Sequence, residues 1–139
     1  MKIPLILIDS RETTPWEFKG YRSKSTCLKV GDYTLLGYTK LIAVERKSLI
    51  DFAGCIRKWK KFEEGQIAKL KKVRYRCIIV EGDPSIGQYN KYTDPFLLVA
   101  GACDIILQDV SVLFCGTRDM AELACYQFMV RAKNLVDSA

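Results

Sequence analysis

Gly31-Asp32-Tyr33 and Val44-Glu45-Arg46-Lys47-Ser48-Leu49-Ile50-Asp51 are the two stretches of this sequence that decide its fold. The first is typical of a turn that leads into a strand over residues 33–36, and the second contains the end of an apolar strand over residues 41–45. Ser48 can cap a helix that begins near Leu49, with Asp51 in the first turn, where negative charge is favoured. If the two strands pair, Asp32 and Glu45 converge on one point.

The flanking sequence alternates between strand and helix patterns. Short apolar runs predict strands over residues 3–8, 77–80 and 111–114, and residues 12–20 and 82–84 contain the Pro and Gly of loops and turns. Apolar residues at helical spacing predict helices over residues 60–73, 95–105 and 119–136, although Gly65 and Gly101 weaken two of these. This order predicts an α/β fold with a mixed central sheet flanked by helices. A length of 139 residues predicts a single domain, 1–139.

The overall composition favours a polyanionic partner. The net charge is +6 and 49% of the residues are apolar, which suits nucleic acid or an anionic membrane surface and still allows a real core. No apolar run is long enough for a membrane helix, and the N-terminal residues lack the features of a secretory signal. We therefore expect an intracellular protein without a membrane contact, in a microbial or phage-infected cytoplasm or a eukaryotic nucleus.

The absence of histidine narrows the chemistry further. It excludes Ser-His-Asp and Cys-His catalysis and every histidine-based metal site. The six cysteines are widely spaced, with no Cys-x-x-Cys pair, so a zinc site is not expected and most of them are interpreted as small core residues. Acid–base or metal chemistry must therefore use carboxylates, lysine, tyrosine or cysteine.

The carboxylates supply such a site. Glu45 and Lys47 lie two apart on one strand and so share a face, and Asp32 precedes the adjacent strand. Two carboxylates there suit Mg²⁺ or Mn²⁺, and Lys47 would stand beside the metal. Arg46 points to the opposite face, although its backbone carbonyl could still reach the metal. These residues fit phosphodiester hydrolysis, whereas taken alone they would more often be surface ion pairs.

The compound motif resembles the XPF/Hef-like nuclease domain of the restriction-endonuclease-like PD-(D/E)xK superfamily. Gly-Asp, Glu-Arg-Lys and Asp51 match its signature, Ile8-Asp9-Ser10-Arg11-Glu12 is similar to its Asp-x-Arg-Glu segment, and Ile79-Val80-Glu81-Gly82 is similar to a later strand. The resemblance covers nearly the whole chain. It implies a divalent-metal-dependent DNA endonuclease that acts on flaps, forks or junctions, in DNA repair or recombination.

The resemblance also implies roles for individual residues. Asp32 and Glu45 become metal ligands, Lys47 the catalytic lysine, and Asp9 a ligand that binds directly or through water. Arg11 and Arg46 contact phosphate or brace the acidic cluster, with a structural ion pair as the alternative for Arg11 and Glu12. Glu12 and Asp51 complete the charged network, with capping of the helix or orientation of Arg46 as the alternative role for Asp51. The implied catalytic set is Asp9, Arg11, Asp32, Glu45, Arg46, Lys47 and Asp51.

A basic segment follows the motif. Residues 57–76 contain nine Lys or Arg and only two acids, enough to neutralise several DNA phosphates. A solvated helix face is the alternative, and Trp59 either stacks on a base or packs on the core. Together with Arg11, the expected DNA-binding residues are Arg57, Lys58, Lys60, Lys61, Lys69, Lys71 and Lys72.

The resemblance has a limit that bears on partners. XPF-type enzymes usually carry a tandem helix-hairpin-helix domain, and these 139 residues leave no room for one. We therefore expect a homodimer or a protein partner that supplies DNA specificity, with apolar residues of the last helices as one possible interface. Two alternatives stay open: a catalytically silent DNA-binding or scaffold subunit, and a recombination or packaging accessory protein that binds DNA electrostatically.

Overall fold

A computed structural model of the protein describes residues 4–85 and 94–139, so Ile3 of the predicted first strand lies outside the described residues. The strands are β1 (Ile6–Asp9), β2 (Ser23–Thr26), β3 (Tyr33–Leu35), β4 (Ile42–Ser48), β5 (Tyr75–Glu81) and β6 (Ser111–Cys115). The helices are α1 (Leu49–Arg57), α2 (Trp59–Phe62), a π-helical turn (Glu63–Ile67), α3 (Ala68–Leu70), α4 (Pro95–Ile106) and α5 (Arg118–Asp137).

The centre of the protein is one six-stranded sheet in the order β2-β1-β3-β4-β5-β6. β3 is antiparallel to both of its neighbours, β1 and β4. The other three pairings, β1 with β2, β4 with β5 and β5 with β6, are parallel. This mixed sheet with flanking helices confirms the predicted α/β class. β2 was not predicted from the sequence, because Ser23–Thr26 is polar and mostly exposed and has no apolar alternation.

The side chains of β4 alternate between two cores, one on each face of the sheet. Ile42 and Val44 pack in the core that includes α5, whereas Ala43 packs in the core that includes α1 and α4. Because a strand has a period of two, Glu45 and Lys47 continue the face of Ala43, and Arg46 continues the face of Val44. The predicted separation of Arg46 from Glu45 and Lys47 is confirmed.

The helix after β4 begins where the sequence predicted. The Asp51 N–H donates to Ser48 Oγ at 3.1 Å, which satisfies one of the unpaired amides of the first helical turn. Asp94 and Thr117 cap α4 and α5 in the same way. These caps fix where each helix leaves the sheet.

The helix predicted over residues 60–73 is a helical segment from Trp59 to Leu70 with a π-helical turn inside it. Phe62, Ile67 and Leu70 are buried against the α1 core, as their spacing predicted. Gly65 lies within the π-helical turn. Such a turn shifts the hydrogen-bond pattern by one residue and often occurs at functional sites.

The cysteines depart in part from the prediction that most of them are core residues. All six are free. Cys77 and Cys125 are buried, but Cys27 and Cys103 are exposed, because their apolar neighbours in sequence do not decide which way a single side chain points. Within the two described ranges, no helix combines the length and apolar character that crossing a membrane requires.

Candidate functional site

Asp32 is tied to β4 by two hydrogen bonds. Its N–H donates to the Val44 carbonyl at 2.8 Å, and its Oδ2 accepts from the Arg46 N–H at 2.8 Å. The preceding Gly31 has a φ of 72°, and a Cβ there would lie 3.0 Å from the Val44 carbonyl oxygen. Glycine is therefore required for this close approach, and the approach places the Asp32 carboxyl against β4.

Asp32 and Glu45 form a largely buried pair of neighbouring carboxyls. Burial, and then the nearby charge of Asp32, raise the pKa of Glu45 to about 8. Burial also raises the pKa of Asp32, although the Arg46 N–H and Lys47 oppose this. Each carboxylate opposes the ionisation of the other, so burial and mutual repulsion favour a proton on the metal-free pair, against the opposing charge of Lys47.

Lys47 lies beside the pair. Its Nζ is 3.7 Å from Glu45 Oε1 and its side chain is 10% exposed. The ammonium also lies near the Cys55 thiol and 5.9 Å from the centre of the Phe62 ring. Packing on three sides therefore holds this cation next to the carboxyl pair.

Asp9 is a third buried carboxylate, held by its own donors. Oδ1 accepts from the Leu28 N–H at 3.0 Å and Oδ2 accepts from Arg11 Nε at 2.8 Å. Burial opposes ionisation, but the Leu28 N–H and Arg11 outweigh it and hold the pKa of Asp9 below its ordinary value. Arg11 also donates to the Leu28 carbonyl at 3.0 Å, so it braces Asp9 while its side chain stays exposed.

These carboxylates line one small cavity of about 240 Å³. All three of its acids and two of its cations were predicted from the sequence, but Lys29 and Gln66 were not. The position of Lys29 just before the Gly31-Asp32 motif is the only sequence signal for it, whereas Gln66 arrives from the π-helical turn. The lining residues are Asp9, Arg11, Lys29, Gly31, Asp32, Glu45, Gln66 and Lys69.

The Arg46 side chain belongs to a separate network on the other face of the sheet. Its Nε is 2.9 Å from Glu81 Oε1, and its guanidinium lies 4.8 Å from the centre of the Trp16 ring. Trp16 Nε1 also donates to Glu81, and Glu12 Oε2 is 3.9 Å from Arg46 Nη1. The guanidinium therefore braces the loop that follows β1 and does not line the cavity.

The Arg46 backbone, in contrast, faces the carboxyl pair. In a strand the N–H and C=O of one residue point to the same edge. Since the Arg46 N–H reaches Asp32, its carbonyl lies on the Asp32 side of β4. The backbone assignment made from the sequence is thus geometrically compatible with a metal ligand.

Two further acids of the motif lie outside the cavity. Asp51 is exposed in the first turn of α1 and lines a neighbouring groove together with Lys47. Burial, and then the charge of Asp32, raise the pKa of Glu12, which also contacts Tyr33 and Arg46. Arg11 pairs with Asp9 and Glu12 pairs with Arg46, so both residues take part in structural ion pairs.

The donor set suits a hard divalent cation. In the part of the chain that the structure describes, no three His, Cys, Asp or Glu side chains converge as metal ligands. The available oxygens are the carboxyls of Asp32 and Glu45 and the carbonyl of Arg46. A cation such as Mg²⁺ would relieve the repulsion within this buried pair, and it prefers oxygen ligands with several waters.

A buried Asp…Glu-x-Lys constellation on adjacent strands of a mixed sheet defines the restriction-endonuclease-like class. Within that class, residues 8–126 match the family model of the ERCC4 domain. The chain therefore belongs to the ERCC4-domain family, and the resemblance to XPF-type nuclease domains is confirmed. A comparison with curated proteins found no match.

Solved structures agree on the fold. XPF from Aeropyrum pernix superimposes with a TM-score of 0.73 at 24% identity, over 93% of this chain and 61% of that one. XPF from Aeropyrum pernix in complex with DNA gives a TM-score of 0.73 at 24% identity, over 94% of this chain and 66% of that one. This chain therefore spans less than two thirds of either structure.

The raised pKa of Glu45 predicts a pH-dependent cost to stability. The unfolded side chain loses its proton near its ordinary pKa of 4.5, whereas the folded one keeps it up to about 8. Protonation of Glu45 therefore favours the folded state fully below about pH 4.5. This contribution to the free energy of unfolding declines as the pH rises and is lost above about 8. At pH 8 without metal, Glu45→Gln should raise the free energy of unfolding by at least about 1 kcal/mol, since one pKa unit corresponds to about 1.4 kcal/mol.

Denaturant unfolding in EDTA at pH 5 and pH 8 measures this difference. Glu17→Gln is the matched control, because the Glu17 side chain is 72% exposed and lies far from the pair in a loose contact with Lys19. A gain that is equal at both pH values, or equal to that of the control, would contradict the shared-proton description.

Proposed function

We propose that this chain is a divalent-metal-dependent endodeoxyribonuclease that hydrolyses phosphodiester bonds in branched DNA. The observation that carries the proposal is the buried Asp32–Glu45 pair beside Lys47, at the base of a cavity rimmed by cations. A buried carboxyl pair destabilises a fold, and groups with such strongly shifted pKa values cluster at functional sites. Membership of the ERCC4-domain family supports the assignment as a nuclease-type DNA-processing domain.

Mg²⁺ or Mn²⁺ would be held by Asp32, Glu45 and the Arg46 carbonyl, with Asp9 acting through water because both of its oxygens already accept hydrogen bonds. The bound cation would polarise the phosphate and lower the pKa of a coordinated water. Lys47, fixed at 3.7 Å from Glu45, orients the attacking water and stabilises negative charge on the phosphate. Arg11 keeps Asp9 ionised and in place.

The rim of the cavity is suited to phosphate. Arg11, Lys29 and Lys69 approach the carboxylates from different segments of the chain. Three cations around three acids let a phosphodiester enter without strong net repulsion. This arrangement makes Lys29 a DNA-binding residue in addition to those expected from the sequence.

The basic segment borders two further concave surfaces. Lys58, Lys61 and Lys69 line a groove next to the cavity, and Lys72 lines a hollow on its other side together with Lys29. Lys60 and Lys71 are exposed but line neither surface. Trp59 is half-buried and packs edge-on to Phe62 at 6.2 Å, as its core interpretation expected. We propose that DNA crosses the cavity between Lys61 and Lys72.

A catalytically silent DNA-binding or scaffold subunit is the competing function. Such a protein needs the basic surface but has no use for a buried carboxyl pair that shares a proton. The position of Lys47 against Glu45 therefore favours an enzyme. We propose an intracellular location, because flaps, forks and junctions arise where DNA is copied and repaired.

The outer face of α4 favours self-association. Val99 and Ile106 of α4 are each 50% exposed, and Leu107, which caps the end of this apolar helix, is 81% exposed. α4 packs beside β6, the last strand of the sheet. Leu98 of the same helix is fully buried and belongs to the core, so it cannot take part in an interface. We propose that a second copy of the chain covers Val99, Ile106 and Leu107.

The first test of function is metal-dependent cleavage. Labelled linear, single-stranded, flap, fork and four-way-junction DNAs are incubated with Mg²⁺, Mn²⁺ or EDTA. Asp32→Ala and Glu45→Ala should each reduce cleavage at least about a hundredfold, with DNA affinity little changed, because they remove metal ligands and not phosphate contacts. Lys47→Ala should reduce the cleavage rate by a similar order.

Glu17→Gln is the control for these variants and should cleave like the wild type. Cleavage that survives in both Asp32→Ala and Glu45→Ala would refute the assignment of the site. Binding without cleavage on every substrate would support the scaffold function in place of the enzyme.

The path of the DNA is tested by charge reversal. Lys61→Glu and Lys72→Glu should weaken binding more than Lys60→Glu and Lys71→Glu, because only the first two border the concave surfaces. Each lost phosphate contact should lower the slope of log affinity against log salt by about 0.9. Lys19→Glu, on the α5 face, is the control. Equal affinity and slope for all five variants would place DNA elsewhere.

Self-association is tested by sedimentation at micromolar concentration. The wild type should sediment as a dimer, and Leu107→Lys should shift it to a monomer, because a buried ammonium has no partner in an apolar interface. Leu36→Lys, at a position 56% exposed after β3, should remain a dimer. A monomeric wild type would rule out this interface.

A further inference from the structure

A groove of about 660 Å³ runs beside the acidic cavity, between α1 and the segment from α2 to α3. It opens directly onto the cavity, because Gln66 and Lys69 line both. Lys47 joins the two as well, since it lines the groove and contacts Glu45. Whatever occupies the groove therefore lies next to the reacting phosphate.

Two helical glycines line this groove, and packing does not explain either of them. A Cβ added at Gly54 or Gly65 would meet no atom within 4 Å, and neither residue has a positive φ. In contrast, a Cβ at Gly101 would lie 2.3 Å from Ile56 Cδ1, so helix packing accounts for that glycine. A glycine inside a helix costs about 1 kcal/mol relative to alanine. At Gly54 and Gly65 the missing side chains leave room in the groove.

The floor of the groove is apolar and its rim is mostly positively charged. Ile50, which is 58% exposed, supplies apolar surface beside the two glycines. Lys58, Lys61 and Lys69 stand around it and outnumber Asp51, the one acid of the lining. A surface that binds only phosphate needs no apolar floor, and a site for a purely apolar ligand needs no lysines. The combination matches a nucleotide, which carries an apolar base face and an anionic phosphate.

We propose that the groove accepts one unpaired nucleotide of the strand that is cleaved, with its base against Gly54 and Ile50 and its phosphate at Lys58 and Lys61. The volume of about 660 Å³ falls within the range of roughly 300–1,000 Å³ that small-ligand sites occupy. A base within a duplex must first be unpaired and unstacked to enter, whereas an unpaired base enters at little cost. The inference rests on the proposed nuclease function and gives it a structural source of preference for branched DNA.

Gly54 allows a graded test of the groove. Gly54→Ala adds one methyl group in open space, whereas Gly54→Phe fills the groove with a ring. Both replacements have higher helix propensity than glycine, so the variants should unfold at or above the wild-type midpoint. Gly116→Phe is the matched control, because a Cβ there also meets no atom within 4 Å and the residue lies between β6 and α5, away from the groove.

The experiment measures binding in EDTA, where no cleavage occurs, to two duplexes that each carry one unpaired nucleotide. In one duplex this nucleotide is normal, and in the other it is abasic, so that the two differ only in the base. The wild type and Gly116→Phe should bind the normal duplex about tenfold more tightly. Gly54→Ala should keep most of this preference, and Gly54→Phe should lose it while its affinity for the abasic duplex stays unchanged.

Equal affinity of the wild type for both duplexes would overturn the proposal, as would a preference that Gly54→Phe retains. The same proteins are then assayed for cleavage with Mg²⁺. Cleavage without a base preference would leave the nuclease function intact and remove only the nucleotide groove. A base preference without cleavage would keep the groove and refute the nuclease function.

Discussion

The contact between the start of β3 and the middle of β4 is the constraint on which the site depends. Asp32 belongs to the sheet through its N–H, which donates to Val44, and to the acidic pair through its carboxyl, which accepts from the Arg46 N–H. Only glycine at position 31 lets the chain approach Val44 this closely. The same few atoms therefore set the strand pairing and the separation of the two carboxyls.

Because the side chains of β4 alternate, its charged residues lie on opposite faces of the sheet. Those on one face lower the stability of the fold and those on the other raise it. Glu45 faces a cavity where burial makes its ionised form unfavourable. Arg46, one residue later, faces Glu81 and the Trp16 ring, where its charge has a carboxylate and an aromatic partner. Well-paired groups on one face of the sheet help to offset a strained pair on the other. Functional sites commonly reduce stability in this way.

Local patterns made much of the fold and part of the site predictable. The period of two assigned Glu45 and Lys47 to one face and Arg46 to the other, and Ser48 marked the start of α1 correctly. β2 could not be found, because its strand character comes from backbone pairing with β1 at the sheet edge and not from its side chains. The partners of Arg46 were equally hidden, since Trp16 and Glu81 come from distant parts of the chain. Gln66 reaches the cavity only because of a helical irregularity that side-chain periodicity does not reveal.

The π-helical turn has a geometric consequence for the basic segment as a whole. In a regular α-helix each residue advances by about 100°, so one additional residue in a turn changes the angular phase of everything that follows. Lysines before Glu63 and after Ile67 therefore point in directions that a continuous α-helix could not combine. Lys58 and Lys61 face the groove, while Lys69 also reaches the carboxylates. Deletion of a single residue from this turn would rotate one half of the segment out of register, although every charge would be conserved.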